Sequence, residues 1–203
     1  MPLMLVLTGL PTLFPKLVEA RTFSERMFHI LTLTKLSPEA SREAIIKPCL
    51  KVGMTFTDST VDGIIELTSG YPYFIQFICR EIFDSYLQQL TTGETDPTVY
   101  MPIIIRKLDS DFFAGRWSRA TDRQRELMEV ISELPHCDEE FSVQDIVDRS
   151  KTVSEKPFSS SHVNQMLSTL QEKGVIYKNR FGKYSFAVPL LGQFIRRQKQ
   201  ERI

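Results

Sequence analysis

One face of a segment near the C-terminus carries side chains that are able to read nucleic acid. Apolar residues at helical spacing predict the buried stripe of this helix, formed by Val163, Met166, Leu167 and Leu170. Polar residues point away from that stripe: Ser160, Ser161, Asn164, Gln165 and Ser168. Asparagine and glutamine amides pair with adenine edges, and serine hydroxyls reach phosphate oxygens. We take the first four of these polar residues as candidate nucleic-acid-binding residues.

Basic residues accumulate after that helix. From Lys173 to the end, the chain holds eight basic residues and a single acid. Three of them, in a predicted β-hairpin, are candidate phosphate contacts: Lys178, Arg180 and Lys183. The preceding helices are instead rich in acids, so a protein partner is an equal alternative to DNA for this region.

Cysteine and histidine chemistry finds no support in the sequence. The three cysteines lie far apart and lack metal-ligand spacing, and so do the three histidines. We therefore predict no metal site, and we expect the thiols to be buried and reduced, as in cytosolic proteins.

The bulk composition favours no particular partner and no membrane. Lysine plus arginine equals aspartate plus glutamate, at 25 each. The N-terminus, MPLMLVLTGL, is apolar but has no basic lead and no small-residue cleavage site, so we expect no signal peptide. Apolar runs are all shorter than the roughly 18–20 residues of a membrane span. We expect a cytoplasmic protein.

Residues 37–113 have the pattern of a small all-helical bundle. Ser37 and Pro38 are typical of a capping residue and a first helical position. Thr57 begins a second helix, and Gly70 is suited to end it in a left-handed conformation. The helices are predicted at about 37–50, 57–69, 72–90 and 98–113.

The C-terminal part has the pattern of a winged helix-turn-helix. A helix follows Thr121, a shorter one follows Ser142, and the polar-faced helix ends at Gly174. Two alternating strands then flank a turn of sequence Arg-Phe-Gly-Lys, and a last helix closes the chain.

The start of the chain has the pattern of a β-strand for which the sequence encodes too few neighbouring strands. Met4–Leu7 is a continuous apolar run, typical of a strand buried on both faces of a parallel sheet. Residues 28–33 are the one nearby segment with β character, and two strands do not form a stable sheet alone. We expect this strand to lie beside strands that the chain does not encode. The predicted fold class is mainly α: a small helical lid bundle, then a winged helix-turn-helix (α+β) domain, with an orphan N-terminal strand.

The order of these parts resembles the C-terminal portion of a P-loop ATPase of the AAA+ class. The similarity is to the branch that includes signal-transduction ATPases, archaeal ATPases and transposition or secretion regulators. LVLTG matches the strand that carries the sensor-1 position, and LPTLFPKLVEARTFSERMF matches a loop and helix ending in an arginine. SGYPYFIQ matches the Gly-x-Pro junction of a helical lid, which a winged helix commonly follows. The resemblance covers nearly the whole chain and implies a core remnant at 1–36, a lid at 37–118 and a winged helix at 119–203.

The resemblance implies a nucleotide contact at the Gly-x-Pro junction. In those families the junction lies against the adenine of the bound nucleotide, which makes Gly70, Tyr71 and Pro72 candidate nucleotide-binding residues. The residues themselves also allow a plain helix–helix corner, because glycine permits a positive φ and proline fits a first helical turn.

The resemblance also implies two catalytic residues, which act only in a complete ATPase. Thr8 stands at the sensor-1 position, and Arg26 is the candidate arginine finger, with Arg21 as its rival. A strand-terminal threonine and a solvated surface arginine are the alternatives.

The chain departs from these families in its catalytic half. It contains no G-x-x-x-x-G-K-[ST] phosphate loop and no strand ending in paired acids that hold magnesium. We expect ATP or ADP in the parent architecture, and no cofactor and no hydrolysis for this chain alone. The candidate partners are DNA, the missing ATPase core, another protein or a second copy of the chain. The alternative is a free-standing winged-helix DNA-binding regulator with a helical oligomerisation domain.

Overall fold

The computed structural model describes residues 4–10, 12–31, 33–93, 100–180 and 182–201. The fold is mainly helical with one small antiparallel sheet, which confirms the predicted class. The chain forms two compact units. Residues 33–115 make the bundle unit, and the residues on either side of that range make the hairpin unit.

The strand predicted at Met4–Leu7 is not formed among the described residues. Residues 4–10 adopt no regular structure, and their apolar side chains are exposed, with Met4 at 87% and Val6 at 71%. A strand requires a hydrogen-bonded neighbour, and the described residues supply none to this segment. Helix α1 (Leu13–Ala20) and the short α2 (Ser24–Met27) follow it.

The bundle unit is built on helices that begin where the sequence predicts. They are α3 (Pro38–Lys51), α4 (Asp58–Thr68), α5 (Pro72–Thr91) and α6 (Met101–Leu108). Ser37 Oγ accepts a hydrogen bond from the Ala40 amide at 3.1 Å, and Thr57 Oγ1 accepts one from the Thr60 amide at 3.2 Å. Both are N-caps of the expected type. The buried core that unites these helices is almost entirely isoleucine: Ile45, Val61, Ile64, Ile75, Ile78, Ile82 and Ile104.

The fourth predicted helix differs from its prediction at both ends. The expected start near Thr98 lies outside the described residues, and α6 begins at Met101. The helix also leaves the α form, because Asp109–Ala114 is a π-helical stretch, after which α7 (Gly115–Trp117) follows. Apolar spacing over six residues does not distinguish the wider π turn from an α turn.

The hairpin unit contains the predicted three helices, hairpin and final helix. They are α8 (Asp122–Ser132), α9 (Val143–Val153), α10 (Ser160–Glu172), β1 (Ile176–Arg180), β2 (Lys183–Phe186) and α11 (Leu191–Gln200). Capping boxes begin α8 and α9, at Thr121 and Ser142. The strands pair antiparallel, with Ile176 opposite Phe186. Gly174 ends α10 with a φ of +67°, as predicted.

Candidate functional sites

The corner between α4 and α5 is fixed by a glycine that no other residue replaces easily. Gly70 is buried with a φ of +77°, and its carbonyl accepts a hydrogen bond from the Leu36 amide at 2.8 Å. A Cβ placed on Gly70 would lie 2.6 Å from the Leu36 carbonyl oxygen. The corner is therefore tied closely to the residues that lead into α3.

A buried hydroxyl stands beneath this corner without a partner. Ser41 is fully buried, and its Oγ forms no hydrogen bond with the described residues. It lies 3.3 Å from the position of a Cβ on Gly70. An unsatisfied buried hydroxyl costs stability, so the packing under the corner is not optimal for folding.

The residues after Gly70 present an aromatic edge at the start of a long helix. Tyr71 is the N-cap of α5 with an extended backbone, and no side-chain cap covers the helix start. Tyr71 is half-buried, Pro72 is exposed, and 53% of Tyr73 is exposed. The first backbone amides of a helix 20 residues long lie next to this edge. The arrangement offers flat apolar groups beside the positive end of a helix dipole.

The π-helical stretch supports this edge with two further rings. Phe112 lies 5.0 Å from Tyr73 between ring centroids, and Phe113 stacks on the buried Phe74 at 5.9 Å. Phe74 also meets Phe112 edge-on at 5.1 Å. Sequence reasoning did not select Tyr73 or Phe112 as site residues. The signal available was the recurrence of aromatic pairs, in YPYF and in DSDFFA.

The two candidate catalytic residues are exposed and lie in the hairpin unit. The side chains of Thr8 and Arg26 face solvent, and Arg21, the rival of Arg26, is exposed as well. Ser24 Oγ donates a hydrogen bond to the Leu17 carbonyl at 3.2 Å, which ties α2 to α1. Neither unit by itself brings Thr8 and Arg26 together with the corner residues.

The polar face of α10 is solvent-exposed along its length. Ser160, Ser161, Asn164, Gln165 and Ser168 are all exposed, opposite the buried stripe. The Asn164 side-chain amide donates to the Ser160 carbonyl at 2.9 Å, so one of its donors is already used within the helix. The surface carries hydroxyl and amide groups, and apart from His162 this helix has no acidic or basic side chain before Glu172.

Lys173 forms hydrogen bonds within the hairpin unit and is not part of a basic surface. Its Nζ donates to the Arg119 carbonyl at 2.9 Å and to Gln124 Oε1 at 2.8 Å. Gln124 is buried and belongs to the capping box of α8. This lysine therefore fixes the end of α10 against the start of α8.

Arg196 and Lys199 of α11 have the same role. Arg196 Nη1 donates to the Ser132 carbonyl at 2.8 Å, and Lys199 Nζ lies 3.0 Å from Glu133 Oε1. The hydrogen bond from Lys199 is the main cause that lowers the pKa of Glu133. Arg149 contributes further, at 3.5 Å from the other carboxylate oxygen. The helix joins the unit through these polar contacts as well as through its apolar face.

One basic residue of the hairpin lies near an acidic residue of α9. Lys178 is exposed, and the side chain of Arg180 lies outside the described residues. The hydrogen bond with Ser142 is the main cause that lowers the pKa of Asp145, and the charge of the half-buried Lys183 lowers it further. An acid of α9 thus already faces one of the three candidate phosphate contacts.

Metal and thiol sites are not found in the described part of the chain. No group of three histidine, cysteine or acidic residues there is arranged to hold a metal ion. The cysteines are unbridged, and burial is the main cause that raises the pKa of Cys79 to about 12.

Among the described helices, none has both the length and the apolar character to cross a membrane.

Comparisons with known proteins give a coarse likeness to an ATPase. Residues 110–195 match a family model described as "Domain of unknown function (DUF8462)". Curated proteins provide no match. Among solved structures, the chain is similar to a Walker-type ATPase of Pyrococcus abyssi, with 15% identity and a TM-score of 0.52. The similarity covers 80% of this chain but 42% of that one, and at this identity it shows an ATPase-related fold only.

Proposed function

We propose that this chain is the lid and winged-helix part of an AAA+-like ATP-binding protein. The bundle unit is the lid, and its Gly70–Pro72 corner contacts the nucleotide. The hairpin unit is a winged helix that contacts DNA or a protein partner, and the protein works in the cytoplasm. The coarse likeness to part of a Walker-type ATPase supports the parentage.

The observation that carries the nucleotide contact is the exposed edge formed by Tyr71, Pro72 and Tyr73. A proline ring and two tyrosine rings offer apolar faces on which a purine can stack, and base–aromatic stacking is worth about 1–3 kcal/mol. Phe112 stands behind Tyr73 and keeps its ring in place. The uncapped start of α5 favours a negatively charged group nearby.

The proposal assigns no hydrolysis to this chain alone. Phosphoryl transfer requires a phosphate cradle and metal ligands, and this sequence contains neither motif. Thr8 and Arg26 would act only when an ATPase core supplies those groups. Purified chain with magnesium and ATP is therefore expected to release phosphate at the background rate.

A titration with ATP at millimolar concentration, followed by amide NMR, tests the nucleotide contact. The backbone amides of Tyr71 and Tyr73 should shift, and Tyr73→Ala should weaken the response several-fold. Tyr100→Ala is the matched control, because this tyrosine is 67% exposed in the same unit. Shifts confined to other residues, or an unchanged response in Tyr73→Ala, would refute the contact.

The exposed face of α10 favours DNA contact as a second candidate function. The four candidate residues Ser160, Ser161, Asn164 and Gln165 form one continuous solvent-facing surface, as base contacts require. In this alternative the protein is a free-standing winged-helix regulator, and the bundle unit is an oligomerisation domain.

Binding to duplex DNA at several salt concentrations tests whether the hairpin unit contacts DNA or a protein partner. A winged-helix DNA contact predicts affinity that falls steeply with salt and depends on Lys178, Arg180 and Lys183. Replacement of all three by alanine should then remove most of the affinity. If the triple variant binds as well as the parent chain, hairpin contact with DNA is excluded and the protein-partner function of this unit is favoured.

A further inference from the structure

A groove of about 610 Å³ runs between α3 and α4 in the bundle unit. Its α3 side is a single helical stripe from Pro38 to Lys47, and its α4 side runs from Asp62 to Glu66. The volume lies in the range of specific binding pockets. No residue of the groove belongs to the aromatic edge described above, so the inference is independent of the nucleotide contact.

Two isoleucines form the floor of this groove. Ile46 and Ile65 are half-buried and pack against the isoleucine core of the unit. They are therefore held rigidly from below while part of each side chain faces the groove. Such a floor accepts the apolar side chain of another molecule.

The two basic residues that line the groove form ion pairs with acidic residues of α3 and α4. Arg42 contacts Asp58 Oδ1 at 2.7 Å with Nη1 and contacts Asp62 with Nη2, which joins α3 to the first turns of α4. Lys47 pairs with Glu43 at 2.6 Å. Both basic residues of the lining thus already face carboxylates.

Two other glutamates that line the groove are not paired with a basic residue among the described residues. Glu39 and Glu66 are exposed, and neither forms an ion pair with the described residues. Hydrogen bonds from its own backbone amide and from Ser37 lower the pKa of Glu39, which is therefore ionised at neutral pH. The groove combines an apolar floor with an excess of negative charge on its rim.

We propose that this groove binds a basic amphipathic helix of a partner protein. An apolar side chain of that helix rests on Ile46 and Ile65, and lysine or arginine residues on either side of it face Glu39 and Glu66. Helix-in-groove recognition uses such i and i+4 anchors, and complementary charge sets the partner and the orientation. The α3 side of the groove runs from Pro38 to Lys47, so roughly ten residues, or about three turns, of the partner helix would lie along it.

The test uses a fluorescein-labelled 14-residue helical peptide of alanine, leucine and lysine, with leucines at i and i+4 and lysines beside them. A second peptide carries glutamate in place of every lysine. Fluorescence anisotropy with the full chain at low salt should show saturable binding of the lysine peptide and none of the glutamate peptide. The affinity should weaken as salt rises, because the rim pairs are exposed.

Two double variants locate the binding. Glu39→Gln/Glu66→Gln should weaken the lysine peptide about three- to tenfold, the range expected for two exposed charge pairs. Asp84→Asn/Asp111→Asn removes equal charge from exposed positions outside the groove and should leave the affinity unchanged. Ile46→Ala should weaken binding at every salt concentration.

Three results would overturn the proposal. They are an equal loss in both double variants, binding of the glutamate peptide, and the absence of saturable binding. A second copy of this chain is the other molecule that could occupy the groove, and sedimentation of the chain alone tests for it. Self-association that Ile46→Ala abolishes would assign the groove to that second copy. Failure of the ATP titration leaves all of these outcomes unaffected, so the two proposals are tested separately.

Discussion

The two units differ in which charged side chains are left exposed. In the bundle unit, an isoleucine core holds the helices together, and most charged side chains lie at the surface, where several line the groove between α3 and α4. In the hairpin unit, Lys173, Arg196 and Lys199 point inward to carbonyl and carboxylate oxygens and join helices. Basic residues therefore have structural roles in both units, and the charged groups that we propose for binding in the bundle unit are the exposed acids Glu39 and Glu66.

The largest expected effect tests the tight corner of the bundle unit. Gly70→Ala should lower the free energy of unfolding by about 2–4 kcal/mol, because a positive φ is unfavourable for alanine and the new Cβ meets the Leu36 carbonyl oxygen. Gly53→Ala is the matched control: its φ is +72°, with no atom within 4 Å of a Cβ. This control should cost only about 1 kcal/mol in chemical denaturation. Equal losses would show that the close approach to Leu36 is unimportant.

The next effect tests whether basic residues are structural in the hairpin unit. Lys173→Met should lower the free energy of unfolding by about 1–2 kcal/mol, since it removes two hydrogen bonds from a charged donor and leaves Gln124 without one of its partners. Lys156→Met, at an exposed position of the same unit, should change stability by less than about 0.5 kcal/mol. Urea denaturation measures both. Similar values for the two lysines would remove the contrast between the units.

A pH series extends that contrast to Glu133. Hydrogen bonding from Lys199 lowers the pKa of this carboxyl in the folded protein, so its contribution is present above the ordinary glutamate pKa of about 4.3. It is lost as the pH falls through the lower folded value. Glu133→Gln should be less stable than the parent chain at pH 7 by up to about 1 kcal/mol, and the difference should vanish in acid. A difference that persists at pH 2 would contradict this account.

The smallest effect tests the imperfect packing under the corner. Ser41→Ala removes a buried hydroxyl that has no partner among the described residues and should raise the free energy of unfolding by about 0.5–1 kcal/mol. Ser132→Ala is a useful control, because the buried Ser132 hydroxyl donates to the Glu129 carbonyl at 2.7 Å. This control should be destabilising. A loss of stability in Ser41→Ala would indicate that its hydroxyl has a partner.

Local signals in the sequence were sufficient for most helix starts. Ser37, Thr57, Thr121 and Ser142 cap their helices as predicted, because a capping side chain acts over three residues and requires no tertiary information. The hairpin was also predictable, since alternation and a glycine-containing turn are local.

Features that depend on distant residues were not predictable. The apolar run Met4–Leu7 has the composition of a strand, but pairing requires a neighbour that composition does not reveal. The count of basic residues after Lys173 did not distinguish inward from outward side chains. Tyr73 and Phe112 are 39 positions apart in the sequence, so only the fold shows that their rings meet.

The six π-helical residues make the aromatic edge sensitive to chain length. A π turn holds about one residue more than an α turn, because its hydrogen bonds reach from i to i+5. Deleting a single residue between Asp109 and Phe112 would let the stretch relax into ordinary α-helix, which changes the positions of the side chains inside the stretch relative to α5. Phe112 and Phe113 would then lose their places beside Tyr73 and Phe74, so the phase of one helix determines whether this flat surface exists.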